Sequence, residues 1–203
     1  LYDFTNFLHF EFMSEGLIRQ MKERLPLLED TASHTFGNTP RLAAVMITLY
    51  YIDNELHIPF IVRPAYDGVH SGQVAFPGGK MEEIDPSPIH NAIREAYEEV
   101  GMEVPHESVI GTMPKIYVVP SNMLVTPVLA YLAERPSYVL DSNEVAKLLE
   151  IKVSDLLNPH NHSKKQVIFP NNVKMNFPSY LVQGEEIWGA TARMLSEFFK
   201  LIT

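Results

Sequence analysis

The sequence predicts an α/β (α+β) fold, with strands and helices mixed along the chain as in a layered sandwich. Three observations carry that expectation. Leu42 to Ile52 (LAAVMITLYYI) is apolar and β-branched enough for a buried strand, and a polar turn leads from it to a second strand. Ile89 to Val100 reads as a helix, closed by Gly101 at a suitable C-terminal position. The chain has 203 residues, 46% of them apolar and 20% charged, the profile of one domain or a domain with a short appendage.

From Tyr2 to Met13 the chain is aromatic-rich, with Phe4, Phe7, Leu8, Phe10 and Phe12, and reads as an arm docking on the body or on a second copy in a homodimer. Leu17 to Leu28 follows as a helix with Leu17, Met21, Leu25 and Leu28 on one face, disturbed at its end by Pro26. Residues 1–38 thus form an arm and helix packed on a main domain of residues 39–203. Asp53-Asn54-Glu55 turns the first strand into a second, Leu56 to Val62, and a Gly-rich loop runs from Tyr66 to Gly79. Beyond the Ile89 helix, Val109 to Met113 and Leu124 to Ala133 are strands separated by a Pro120-Ser121-Asn122 loop. Asn143-Glu144 leads into another strand and a short helix ending near Leu157. Asn158 to Lys165 (NPHNHSKK) reads as a loop, Val167 to Val182 as two short strands, and Trp188 to Ile202 as an amphipathic closing helix.

Composition excludes several functions. No stretch approaches the roughly 18 apolar residues of a membrane span, and no basic segment with a small-residue cleavage site opens the chain, so a cytoplasmic protein without a membrane partner is expected. The absence of cysteine removes disulfides, thiolate catalysis and zinc ribbons, leaving a hard cation held by oxygen or a metal held by histidine. Sixteen basic against twenty-five acidic residues, a net charge of -9, argue against a nucleic-acid surface. A strongly anionic substrate would need a metal or a few placed cations.

The chemistry concentrates between Gly78 and Met102, GGKMEEIDPSPIHNAIREAYEEVGM. Glu95, Glu98 and Glu99 stand at i, i+3 and i+4 on the expected helix, so all three carboxylates should share a face and repel one another. Arg94, four residues before Glu98, compensates only in part. A divalent cation does so fully, and Mg²⁺ or Mn²⁺ takes a few carboxylates while filling its other positions with water and phosphate oxygens. Just upstream, Pro77-Gly78-Gly79 supplies a turn in which bare backbone can approach the metal and aim a carbonyl at it.

GGK…D…REAYEEVGM resembles the Nudix box, whose pattern is G-x5-E-x7-R-E-U-x-E-E-x-G-U with U aliphatic. Gly79, Arg94, Glu95, Ala96, Glu98, Glu99, Gly101 and Met102 fall on its positions, while Asp85 replaces the middle Glu and one extra residue precedes Arg94. These departures, preceded by HSGQVAFPGGK (His70 to Lys80), look like the coenzyme A pyrophosphatase branch of the Nudix hydrolases. Leu42 to Ile47, Val125 to Val128 and Ile187 to Ala192 extend the resemblance over about residues 40 to 200. The branch also expects a Thr-x-Arg-Ser-like run and a second Arg; Val62-Arg63-Pro64 keeps the first Arg, and Gly68 stands at the second.

The resemblance implies a Nudix-type α/β/α sandwich with a mixed sheet, and a metal-dependent pyrophosphohydrolase of coenzyme A or its derivatives yielding adenosine 3',5'-bisphosphate and 4'-phosphopantetheine. By carry-over, Glu95, Glu98, Glu99 and the Gly79 carbonyl hold Mg²⁺ or Mn²⁺. Arg94 fixes the carboxylates through charge-assisted hydrogen bonds. The proton acceptor is a helix glutamate, Glu98 or Glu95, or a later one, Glu144. Arg63, His70 and Lys80 are the substrate-binding residues; the alternatives are a loop-bracing role for His70 and plain exposure for Lys80. Two other readings stand beside this one: hydrolysis of another nucleoside diphosphate derivative (a nucleotide sugar, ADP-ribose, NADH or a dinucleotide), and a catalytically silent nucleotide sensor. Glu82 and Glu83 form a solvated turn or an outer metal shell, while His160 and His162 have metal-pair spacing but read as plain loop residues. Trp188 reads as core packing, and Tyr66 and Tyr117 as strand-end tyrosines or adenine-stacking rings.

Overall fold

The computed structural model describes residues 4–29, 39–68, 70–168 and 174–203, and of residues 4–13 the backbone alone. The aromatic side chains from Phe4 to Phe12, and the homodimer contact expected of them, lie outside the described residues.

The first strand organises the molecule. β1 (Arg41–Ile52) is apolar on both faces because both are covered. Its odd positions Ala43, Ile47 and Leu49 enter one core, and its even positions Ala44, Met46 and Tyr50 enter another, as the two-residue period of a strand requires. A turn with positive φ at Asp53 and Asn54 returns the chain as β2 (Glu55–Val62), antiparallel to β1. On a different edge β1 runs parallel to β7 (Met123–Tyr131) from Arg41↔Met123 to Leu49↔Tyr131. Short strands complete the sheet: β3 (Val74–Ala75) and β8 (Lys147–Lys152) pair with β2, β4 (Gly78–Lys80) with β1, and β5 (Val109–Thr112) and β6 (Ile116–Val118) with β7. Because β1 and β7 are parallel and the other pairs antiparallel, the eight-stranded sheet is mixed.

Helices cover both faces. α1 (Phe4–Arg24) and α4 (Gly189–Ile202) lie on the side where Met21, Met194, Leu195, Phe198 and Leu201 are buried, and Gln20 Nε2 donates to the Leu201 carbonyl at 3.0 Å. On the opposite face α2 (Pro88–Val100) presents Ala92, Ala96 and Val100 to Ala44 and Met46 of β1. The result is an α/β/α sandwich, as the sequence led us to expect. α3 (Val153–Leu157) follows β8, and β9 (His162–Ile168), β10 (Lys174–Val182) and β11 (Glu185–Trp188) form a separate antiparallel sheet. Among the described residues no helix is long and apolar enough to cross a membrane.

Several boundaries differ from expectation. The backbone of residues 4–13 is helical and continuous with the helix expected from Leu17, so the two form one helix that a 3-10 turn at Leu25–Leu27 containing Pro26 ends. His162 to Lys165 belong to β9 rather than to a loop, because their main chain pairs with β10 from Tyr180 to Phe177. Trp188 closes β11, and Gly189, with φ of 64°, starts the last helix.

Candidate active site

The site is assembled where β4 meets α2. Helix α2 begins at Ser87-Pro88: the Ser87 hydroxyl accepts from the His90 amide, and proline fits the first turn, where its missing N–H costs nothing. It ends at Gly101, whose φ of 65° gives the left-handed cap that lets Met102 fold back to the Ala96 carbonyl. Between these caps Ala92, Ala96 and Val100 face the core, and the same rotation turns Glu95 and Glu99 toward β4.

Both glycines of β4 are required by close approach. A Cβ on Gly78 would lie 2.4 Å from the Ala44 carbonyl oxygen, and a Cβ on Gly79 would lie 2.5 Å from Oε2 of Glu95. The Gly78 amide donates to Glu99 Oε2 at 2.7 Å, and Arg63 donates to the Gly78 carbonyl at 3.3 Å while standing 3.9 Å from Glu99 Oε1.

Arg94 sits beside these groups and touches four acidic or carbonyl partners. It forms a two-point contact with Asp85, Nε to Oδ1 at 3.1 Å and Nη2 to Oδ2 at 2.9 Å, and reaches Glu95 at 2.9 Å, Glu98 at 2.6 Å and the Lys80 carbonyl at 3.4 Å. Hydrogen bonds from Arg94 hold the Asp85 carboxyl below its ordinary range despite burial. Asp85 also accepts from the Glu82 amide and from Asn91 Nδ2, while Asn91 donates to the Lys80 carbonyl. Asp85 is not one of the clustered carboxylates but ties the loop to the helix through Arg94 and Asn91. Asn91, a buried polar residue on the core side of an amphipathic helix, was not picked out from sequence.

Of the expected site residues, the structure brings Glu95, Glu99 and Glu144 together, each offering an oxygen within 4.8 Å of the others. Glu98 lies at the rim of this group, its side chain 56% exposed against 12% for Glu95 and 2% for Glu99, and is joined to Glu95 through Arg94. His70, with φ of 76°, is braced by Gln73 at 3.0 Å. Lys80 is exposed, and strand alternation turns it from the face on which Gly79 meets Glu95. Glu82 and Glu83 are exposed, and His162 is directed to the Leu156 carbonyl at 2.9 Å rather than paired with His160.

Glu144 reaches the cluster on a long strap between β7 and β8. The Val139 and Asp141 amides donate to the Val100 and Glu99 carbonyls at 2.8 and 2.9 Å, and a turn then closes from Val145 to the Asp141 carbonyl at 2.8 Å. The cluster is electrostatically incomplete. Burial pushes the Glu99 carboxyl up to about 7, with the charges of Glu95 and Glu144 adding to the shift and Arg63 and the Gly78 amide opposing it. Burial likewise raises Glu95, although Arg94 opposes it. An all-oxygen donor set with unneutralised buried charge beside a glycine backbone fits a hard divalent cation.

Comparison with known proteins bears on the family and the fold. The chain is 29% identical over 193 residues to the mitochondrial coenzyme A diphosphatase NUDT8 of Mus musculus, covering 94% of this chain and 91% of that protein. It is 31% identical over 162 residues to the Homo sapiens protein of the same name, covering 78% and 68%. It is also 31% identical over 189 residues to the uncharacterized Nudix hydrolase NudL of Yersinia pestis, covering 91% and 92%. Among solved structures, a MutT/nudix family protein from Enterococcus faecalis superposes with a TM-score of 0.59 at 14% identity, over 84% of this chain and 64% of that one. The NUDIX domain of Shewanella oneidensis NrtR, solved with ADP ribose, superposes with a TM-score of 0.57 at 12% identity, over 89% and 97%. The NUDIX domain family profile matches residues 40–170. Since that match runs from β1 past β9 and so takes in the glycine turn, the carboxylate helix and the strap together, the chain belongs to the Nudix hydrolase family and is an enzyme of that class.

Proposed function

We propose that this enzyme hydrolyses the diphosphate bond of coenzyme A or its derivatives, giving adenosine 3',5'-bisphosphate and 4'-phosphopantetheine. The observation that carries the reading is the convergence of Glu95, Glu99 and Glu144 against the Gly78–Gly79 backbone, a site for a cation that a diphosphate also needs. The names of the mouse and human relatives support the substrate class, and Arg63 keeps the branch's first arginine.

Glu95, Glu99 and Glu144 would hold Mg²⁺ or Mn²⁺, with Glu98 adding a ligand from the rim; the Gly78 carbonyl, which faces Arg63, is the main-chain oxygen beside them, since pairing with Ala44 turns that of Gly79 into the sheet. A divalent cation there supplies charge neutralisation of the diphosphate oxygens and acidifies the attacking water. The chain does the rest. Arg94 holds Glu95 and Glu98 in place while anchored on Asp85, and so acts on the carboxylates rather than on substrate. In this reading Glu144, exposed at the edge of the cluster, would take the water's proton, with Glu98 and Glu95 as the other acceptors. Arg63 faces the same space and supplies a cation for a phosphate oxygen. His70 lines the approach in this reading, and Lys80, on the other face of β4, does not.

One observation favours a second substrate within the same chemistry: Gly68 stands where the branch has its second arginine, so another nucleoside diphosphate derivative could occupy the site. A chromatographic product assay decides. Purified protein with Mg²⁺ or Mn²⁺ is offered coenzyme A, acetyl-coenzyme A, NADH, ADP-ribose and diadenosine polyphosphates. Adenosine 3',5'-bisphosphate released from coenzyme A and abolished by chelator is the expected result; cleavage of another compound, with coenzyme A untouched, would overturn the substrate assignment and keep the chemistry.

A further inference from the structure

Glu144 lies far from Glu95 and Glu99 in sequence and on a segment without regular secondary structure, so something must fix where its carboxylate stands. The strap that carries it starts where the Leu132 amide donates to the Leu49 carbonyl and ends where the Ala146 amide donates to the Val62 carbonyl, both at 2.9 Å. Between these ends is a polar cluster that the site description does not use. Arg135 grips Glu150 of β8, Nε to Oε1 at 2.9 Å and Nη2 to Oε2 at 2.5 Å. The Tyr50 hydroxyl donates to the same Glu150 Oε1 at 2.8 Å, and the Tyr138 hydroxyl donates to the Tyr50 hydroxyl at 2.7 Å. Tyr50 is fully buried in β1, and the Tyr138 ring packs on the core beneath α2.

The chain therefore leaves a rigid anchor at residues 135 and 138 and passes directly to the contacts that seat it on the helix. Val139 and Asp141 donate to the Val100 and Glu99 carbonyls, and a Cβ on Gly101 would lie 2.8 Å from the Val139 nitrogen, so the strap passes directly against the helix end there. The Asp141 side chain accepts from the Asn143 amide at 2.9 Å, and the Glu144 amide donates to the Asp141 carbonyl at 3.1 Å. We propose that Tyr138 and Arg135, through Tyr50 and Glu150, are positioning residues that set the distance of Glu144 from Glu95 and Glu99 and thereby the site's affinity for a divalent cation.

This inference rests on reading Glu144 as part of the site, and the test separates the two. Tyr138→Phe keeps the ring and deletes one hydrogen bond; Arg135→Gln changes a largely exposed side chain. Each is made alone and together with Glu144→Gln, and Mn²⁺ binding is measured by electron paramagnetic resonance without substrate, beside kcat and KM. The expected result is an Mn²⁺ Kd raised about 10-fold by Tyr138→Phe or Arg135→Gln, the lower end of what supporting hydrogen bonds contribute to metal sites. KM for substrate at saturating Mn²⁺ should change little. In the Glu144→Gln background neither change should weaken Mn²⁺ binding further, because the effect travels through Glu144. If each weakens binding equally in both backgrounds, or not at all, the positioning role is wrong while the site stands. If Glu144→Gln itself leaves Mn²⁺ binding and turnover at wild-type values, the site assignment of Glu144 falls and takes this inference with it.

Discussion

Replacing Gly79 with alanine should separate activity from stability. The new Cβ would stand 2.5 Å from Glu95 Oε2, 2.6 Å from its Cδ and 2.7 Å from Oε1, whereas ordinary contact begins at 3.4 Å. The carboxylate must retreat by ~0.9 Å, the difference between 3.4 and 2.5 Å, a displacement of the size that costs about 100-fold in a positioned reaction. In barrier terms that is about 2.7 kcal/mol. The cost to folding should be far smaller. Gly79 has no positive φ, so alanine is not strained there, and what it meets is the mobile end of a side chain. We expect Gly79→Ala to lower kcat/KM about 100-fold, with Tm changing by only a few degrees. Steady-state kinetics at saturating Mn²⁺ and thermal unfolding of the same preparation measure both. A kcat/KM within about threefold of wild type would refute the argument that Glu95 must sit against bare backbone.

Two further substitutions read the charges directly. The Glu99 carboxyl is raised by burial from an ordinary 4.5 to about 7. The folded metal-free protein thus holds this proton more tightly than the unfolded chain, and stability should fall as pH rises from about 4.5 to 7, by about 3 kcal/mol at most. Glu99→Gln should flatten that slope in thermal unfolding with chelator present, while removing most turnover; an unchanged slope would show that Glu99 is not the buried charge. Asp85 is shifted the other way, so its contact with Arg94 contributes fully above the usual aspartate range and is lost as pH falls through its lowered folded value. Asp85→Asn should destabilise by about 2 kcal/mol at neutral pH, with a deficit that shrinks in acid; a deficit independent of pH would contradict the pairing.

The parts of the fold legible in the sequence are those where one local signal decides. β1 is apolar throughout because it is buried on both faces, and α2 carries its own stop at Gly101. β9 was misread because only alternate residues of HSKKQVI are partly covered, so a paired strand has the composition of a loop. β4 and β6 span three residues each, too few for any period, and exist because a neighbouring strand pairs with them. The residues from Phe4 to Met13 mix aromatics of modest helix propensity with polar side chains, which hid a helix continuous with the next segment. At the site, i, i+3, i+4 spacing identified the right helix but could not say which carboxylates turn inward; packing of Ala92, Ala96 and Val100 on the sheet sets that rotation. The place of Glu144, and the roles of Tyr50, Tyr138, Arg135 and Glu150, depend on contacts between distant segments and leave no local trace.

The sheet-facing residues of α2 act as a spacer. Glu95 and Glu99 are one turn apart on that helix and travel as a unit whenever it moves, while Glu144 is tied both to the carbonyls at the helix end and, through Arg135 and Tyr138, to the sheet. What remains adjustable is the height of that unit above Gly79, and Ala92 and Ala96, both fully buried, determine it. A single added methyl at either position would lift Glu95 and Glu99 together off Gly79 and shift both relative to the sheet-anchored strap that carries Glu144. The clearance beneath the helix, and with it the reach of both carboxylates, is thus held by two of the smallest side chains.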